Sequence, residues 1–278
     1  MTVPLRLEAP AKLNLSLRVV GRRDDGLHLL ESEMVLLELA DRLLLMPGCS
    51  GLRLEGAADG VPPDETNLAW RGFRAGLDEE PDLACLALEK RVPPAAGLGG
   101  GSSDAAAAWR LGRAWRGADV APTSQELSAL GRIGADVPFF AAGAAAARVS
   151  GIGETVEALP PIRRHVVLVH PPFRLSTADV FAELRPSEWG SLENDLLAPA
   201  RRLMPAVDDL FALVAAAGGT PRLTGSGPTV FSLEDDAARA AAVADALVAR
   251  GVRATISATR TTTAAIERVD EEEPIDHP

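Results

Sequence analysis

The chain has 278 residues, 47% of them hydrophobic and 24% charged, an ordinary composition for a globular protein of one large or two average domains. Its formal net charge of −11 argues against nucleic acid or an anionic membrane as a partner, so a phosphate ligand would have to be held by local backbone dipoles and a few placed cations. No apolar run approaches the roughly 20 residues of a membrane span, and the N-terminus lacks the apolar segment of a signal peptide.

In chain order, "LRLEAPAKLNLSLRVVG" alternates with period two and predicts a strand with Leu13, Leu15, Leu17 and Val19 on one face. Lys12, Asn14, Ser16 and Arg18 share the other face, either solvated or turned to a ligand. "RRDDGLH" predicts a turn, and "ESEMVLLELADRLLLM" a further strand with a bend. A helix is expected after "PPDETN", starting near Thr66 or Asn67, and a strand over "CLALEKRVP". A glycine loop then opens the helix "DAAAAWRLGRAW", followed by a short helix, a loop and a second helix start in "SQELSALGRIGADVPFF". "AAGAAAARVSGIGE" predicts strand and turn, and the turn formers around residues 150–162 place a domain boundary there.

Beyond that boundary the pattern gives a buried strand "HVVLVH", a helix "STADVFAEL" and one long helix from "NDLLAPARR" to "LVAAAG". A strand "PRLTGSGPTVFSL", a helix "DDAARAAAVADALVARG" and a strand "VRATISAT" complete an α+β, ferredoxin-like arrangement. The acidic tail "DEEEPIDHP" is expected to be disordered. Cys49 and Cys85 stand in no metal or redox spacing and are read as free thiols of a cytoplasmic protein. The four histidines form no zinc pattern, so no metal ligands are assigned among the side chains.

"PPAAGLGGGSSDAAAAW" carries the strongest chemical signal. Four glycines and two serines between a strand and a helix let backbone N–H groups converge with the helix N-terminus, a geometry that binds phosphate. Ser102 and Ser103 add hydroxyls for phosphate or Mg²⁺. A tight turn with a capped helix needs fewer glycines. No lysine follows the loop, as a Walker A motif requires, and Ser102 stands where a dinucleotide fingerprint starting at Gly97 needs glycine. Lys12 and Lys90 are the sole lysines, every other cationic side chain being arginine, which marks both as places where a compact ammonium is needed. Asp136, just before "VPFF", reads by itself first as a helix N-cap and only second as an acid–base group. Gly225, Ser226 and Gly227 read as a second anion-facing loop or a tight turn, and His28 by itself as a turn residue.

The pattern P-x-x-x-G-L-G-G-G-S-S-D-A-A resembles the ATP loop of the GHMP kinases. "APAKLNLSLRVVGRRDDGLH", "GADVPFF", "LENDLL" and "LTGSGPTVF" extend the resemblance, in the same order, over nearly the whole chain. It implies an N-terminal domain of the ribosomal protein S5 domain 2-like type over residues 1–155, a ferredoxin-like C-terminal domain over 156–268 and a tail from 269 to 278. It implies a cytoplasmic enzyme that uses ATP and Mg²⁺ to phosphorylate a hydroxyl of a small molecule, here a cytidine diphosphate sugar alcohol. By the matched motifs, Asp136 is the expected base and Lys12 its neighbour. Pro93, Pro94, Ala95, Ala96, Gly97, Leu98, Gly99, Gly100, Gly101, Ser102 and Ser103 are the expected phosphate loop, with Asn67 and Lys90 near the nucleotide. Asn14, Leu27, His28 and Phe181 are expected to bind the substrate. Leu27 departs from the family, which carries a tyrosine there to stack on cytosine; Phe181 is left to supply the opposite face, and Ala95 replaces a frequent glycine. Another small-molecule kinase of this superfamily, or a nucleotide-binding protein without catalysis, are the rival readings.

Overall fold

The computed structural model describes residues 3–77 and 84–269. The acidic tail and the residues between 77 and 84 lie outside these.

Strands β1 (Leu5–Arg22) and β2 (His28–Pro47) form a long antiparallel hairpin. Shifts of register between Pro10 and Lys12, Asn14 and Ser16, and Val19 and Gly21 twist it. Around it, β3 (Gly51–Gly56), β4 (Ala84–Lys90), β5 (Ala146–Gly151), β6 (Thr155–Ala158) and β11 (Glu267–Arg268) complete a seven-stranded sheet. β3 pairs with β4 in parallel, whereas the other pairings are antiparallel. One face of this sheet is covered by α1 (Leu68–Leu77) and α2 (Gly100–Trp115), which bury Phe73 and Leu111 against Leu7, Leu43, Leu45, Leu86 and Leu88. The short helices α3 (Ser124–Leu130) and α4 (Val137–Ala141) pack Phe139 and Phe140 beside Met34, Leu36 and Trp109.

A second, four-stranded antiparallel sheet has the order β10–β7–β9–β8, with β7 (His165–Val169), β8 (Arg222–Leu223), β9 (Val230–Glu234) and β10 (Ala254–Ala258). Helices α5 (Thr177–Glu183), α6 (Leu197–Leu203), α7 (Ala206–Ala216) and α8 (Ala237–Val248) supply its core through Val180, Ala200, Val207, Val214, Val243 and Leu247. Val166, Leu168 and Phe231 of this sheet share a further cluster with Leu13, Leu37 and Leu98, so the two halves meet over apolar surface. Two bridges, Leu17 to Asn194 and Leu37 to Thr259, reinforce the seam.

Several expectations are corrected. The long helix expected after residue 193 is two helices, because Met204 leaves helical geometry and Pro205 starts the next segment. The strand expected over residues 221–233 is interrupted by a turn containing the cis bond Gly227–Pro228, which leaves only Arg222–Leu223 before it. Helix α2 begins at Gly100, so Gly100, Gly101, Ser102 and Ser103 belong to its first turn. Strand β3 carries no strong sequence pattern and was not expected. Its parallel register sets Gly51 opposite Cys85, which brings Cys49 close enough for a disulfide with a Cα–Cα distance of 5.2 Å. The cysteines are therefore bridged, not free: their separation of 36 residues in sequence is closed by strand pairing.

Candidate active site

The polar face of β1 is buried at Lys12 and Asn14 and open at Arg18. Lys12 and Asn14 are 4% and 3% exposed, because the glycine loop and the loop after β8 close over them. The Lys12 ammonium donates to Asn14 Oδ1 at 2.6 Å and to the Gly97 carbonyl at 3.1 Å, and lies 3.5 Å from Asp136 Oδ2. Asn14 in turn donates through Nδ2 to Ser32 Oγ at 2.8 Å, and its backbone N–H donates to Thr224 Oγ1 at 3.1 Å. A buried lysine with two fixed acceptors has its direction set, and the remaining donor faces the carboxylate. Asp136 occupies the N-cap position of α4, yet its side chain makes no capping hydrogen bond. The capping alternative therefore lacks its bond.

The loop 93–103 wraps the N-terminus of α2. The backbone N–H of Lys12 donates to the Leu98 carbonyl at 2.9 Å, tying the loop to β1. Gly97, at φ +75°, runs so close to the loop after β8 that a Cβ would stand 2.7 Å from the Gly227 carbonyl oxygen. At Gly99, φ +70°, a Cβ would meet Phe140 at 2.9 Å and the Lys12 side chain at 3.0 Å. Both glycines are thus demanded by conformation and by space. Ala95 takes the left-handed conformation without being glycine, with φ 55°. The first intrahelical bond joins Ser103 N–H to the Gly99 carbonyl, so the N–H groups of Gly100, Gly101 and Ser102 have no acceptor within the helix.

These groups line one cavity of about 560 Å³. Its wall includes Lys12, Asn14, Lys90, Asp136, Phe181 and all of the loop except Ser103, together with Asn67. Ser103 is 1% exposed and its hydroxyl has no partner; it points away from this cavity toward a small gap behind α2. Asn67 does a local task as well: Oδ1 accepts from Ala69 N–H at 2.8 Å to cap α1, and Nδ2 donates to the Pro62 carbonyl at 2.7 Å. Lys90 is buried in an ion cluster with Asp41 and Asp104.

A second cavity of about 400 Å³ is lined by Arg22, Leu27, His28 and Phe181 among others. It shares Leu30, Ala135, Ile152 and Phe181 with the first, so the two are continuous at the residue next to Asp136. Here the aromatic arrangement departs from expectation: Phe181 stacks on His28, with centroids 5.3 Å apart and planes at 27°, while Leu27 is 49% exposed. Trp189 meets the His28 ring edge-on at 6.0 Å. Burial, and then the Arg22 guanidinium, hold His28 below the usual imidazole range, so it is neutral at pH 7.

Sequence reasoning missed Asp41, Asp104, Ser32, Thr224 and Thr177. Asp41 left a faint signal, a carboxylate between the apolar runs 35–37 and 43–45 of β2. Thr177 left none: its hydroxyl meets that of Ser226 at 2.8 Å only because α5 and the Gly225–Gly227 turn converge on the cavity. Gly225 and Ser226 both line it, in keeping with the ligand-facing alternative for that loop.

A glycine-built helix N-terminus, a buried lysine and a partly exposed aspartate on one cavity are the parts of a small-molecule phosphotransferase. The sequence models described as "GHMP kinases N terminal domain" and "GHMP kinases C terminal" match residues 67–144 and 177–253. A 4-diphosphocytidyl-2-C-methyl-D-erythritol kinase of Deinococcus radiodurans is 40% identical over 271 residues, covering 87% of this chain and 88% of its own. The enzyme of the same name from Paracoccus denitrificans is 38% identical over 265 residues, covering 87% and 91%. A crystal structure of 4-(cytidine 5'-diphospho)-2C-methyl-D-erythritol kinase superposes with a TM-score of 0.78 at 34% identity, covering 91% of this chain and 98% of that one. The chain belongs to the 4-diphosphocytidyl-2-C-methyl-D-erythritol kinase family of the GHMP kinases.

Proposed function

We propose that the protein transfers the γ-phosphoryl group of ATP to the C2 hydroxyl of 4-diphosphocytidyl-2-C-methyl-D-erythritol, a step of the non-mevalonate route to isoprenoid precursors. The observation that carries this reading is the Lys12–Asp136 pair, 3.5 Å apart where the phosphate-loop cavity opens into its neighbour. Asp136 accepts the proton of the substrate hydroxyl as its oxygen attacks the phosphorus. Lys12, immobilised by Asn14 and Gly97, orients that carboxylate and offsets charge on the transferring group.

The unpaired N–H groups at the start of α2 suit the phosphates of ATP. Asn67 and Lys90 stand at the nucleotide end of that cavity, and Asn14, Leu27, His28 and Phe181 are the residues assigned to the cytidine substrate. Among the described residues no group of three or more His, Cys, Asp or Glu could hold a metal ion. Mg²⁺ would enter as a companion of the nucleotide, held chiefly by phosphate and water, and Ser102 is the hydroxyl of this cavity's loop that would be available to it. A cytoplasmic location is proposed because the reaction consumes ATP. The bridged cysteines lend it no support, and that no helix among the described residues is long and apolar enough to cross a membrane leaves it open.

ADP release by the purified protein, measured with and without the cytidine diphosphate substrate, tests the reading. Release that requires this substrate is the expected result. Release that instead requires another alcohol, such as homoserine or mevalonate, would make the protein a different kinase of the superfamily. ATP binding with no turnover on any of them would remove catalysis altogether.

A further inference from the structure

Beneath the phosphate loop lies a cluster of three charged side chains, of which the proposed function uses only Lys90 and gives it no contact. Lys90 ends β4, Asp41 lies on β2 and Asp104 in the second turn of α2, and all three are buried, at 4%, 0% and 2% exposed. The Lys90 ammonium donates to Asp41 Oδ2 and, at 2.6 Å, to Asp104 Oδ2. Asp41 Oδ1 accepts the backbone N–H groups of Arg91 at 2.5 Å and Val92 at 2.7 Å, the two residues that lead into the loop. Thus Asp41 fixes where the loop begins, Asp104 belongs to the helix on which it ends, and Lys90 joins the two.

We propose that Lys90, Asp41 and Asp104 form a buried clamp that sets the shape of the phosphate loop, with Asp41 as its anchor and Lys90 acting on nucleotide binding as a positioning residue through the loop backbone. The inference rests on the reading of this loop as the ATP site. Lys90 is committed to carboxylates and packed beneath the loop: a Cβ at Gly100 would stand 3.4 Å from its Nζ. The two carboxylates are not equivalent. Asp41 receives three donors, whereas Asp104 Oδ1 is buried without a partner. Burial, and then the neighbouring Asp41 charge against the opposing pull of Lys90, raise the Asp104 carboxyl well above the usual range. Burial weakens the Lys90 ammonium, but Asp104 and Asp41 outweigh it and hold Lys90 above its ordinary value. Asp41 therefore ties the loop backbone to Lys90, while Asp104 holds Lys90 alone.

The decisive comparison is between Asp41→Asn and Asp104→Asn. An amide at position 41 can still accept from the backbone but sets an NH₂ group against the Lys90 ammonium; an amide at position 104 leaves both backbone bonds of Asp41 in place. The Kd for ATP and the Kd for the cytidine diphosphate substrate are measured by calorimetry on each full-length variant, with melting temperatures alongside. Asp41→Asn should raise the ATP Kd at least tenfold more than Asp104→Asn does, with the cytidine-substrate Kd within twofold of wild type. A double variant, Lys90→Met with Asp41→Asn, removes the anchor and its ammonium together, one cation with one carboxylate, and serves if Asp41→Asn alone does not fold. It should weaken ATP binding about tenfold and leave the cytidine substrate alone. Equal losses for both ligands, or ATP affinity unchanged in the double variant, would overturn the clamp. Failure of the wild-type protein to bind ATP would instead strike at the reading of the site itself.

Discussion

The two ends of the cleft are built differently. At the nucleotide end the wall is backbone and buried charge: glycines that touch neighbouring carbonyls, Lys12 fixed by Asn14 and Gly97, and Lys90 fixed by Asp41 and Asp104. At the other end the wall is side chain, and partly open: His28 on Phe181, Trp189 edge-on, Leu27 half in solvent. A wall of backbone and buried ion pairs tolerates few replacements, because each group is held by several others. A wall of half-exposed side chains can be rebuilt one residue at a time, and Leu27 stands in it.

The contrast predicts effects of graded size. Asp136→Asn should fold and bind ATP yet lose about 10²–10⁴-fold in kcat, since an amide keeps the shape but cannot take a proton. No capping bond is lost with it, so the melting temperature should stay near that of wild type; activity near wild type would show that this carboxylate is not the base. Lys12→Arg retains charge, yet the Lys12 side chain packs where even a Cβ on Gly99 would find it at 3.0 Å. A planar guanidinium has no room there, and kcat should fall by about 10²-fold. Normal turnover of that variant would sink the argument that the site demands a compact ammonium.

Two glycines of one helical turn sharpen the comparison further. A Cβ on Gly101 meets only Leu68, at 3.4 Å, and the residue faces the cavity. Gly101→Val should therefore raise the ATP KM by about tenfold with little change in melting temperature. A Cβ on Gly100 would lie 3.0 Å from Val92 Cγ1, so Gly100→Val should lower both ATP affinity and melting temperature. The smallest effect is expected at the open end. Leu27→Tyr adds an aromatic face beside the second cavity, and stacking of a base on an aromatic ring is worth about 1–3 kcal/mol. Recovering part of that should lower the KM for the cytidine substrate several-fold and leave the ATP KM alone. An unchanged value would mean that position 27 does not face the base.

Local patterns made much of this readable in advance. The period-two face of β1 put Lys12 beside Asn14, and the glycine density between a strand and a helix located the phosphate loop. What stayed hidden depended on partners distant in sequence. The Cys49–Cys85 bridge follows from the parallel pairing of β3 with β4, and a six-residue strand of exposed and intermediate positions leaves a faint pattern. The clamp unites residues 41, 90 and 104, whose proximity exists only once β2, β4 and α2 are packed. The break at Pro205 was in plain view, but the apolar spacing on either side of it reads as one continuous helix.

The most direct test of the central claim is the identity of the phosphorylated atom. After incubation of the protein with ATP, Mg²⁺ and 4-diphosphocytidyl-2-C-methyl-D-erythritol, phosphorus and carbon NMR of the product should show one new phosphomonoester coupled to carbon 2, with ADP formed in equal amount. A phosphate on any other oxygen, or ADP formed at the same rate without the cytidine substrate, would contradict the assignment of Asp136 and Lys12 to that hydroxyl.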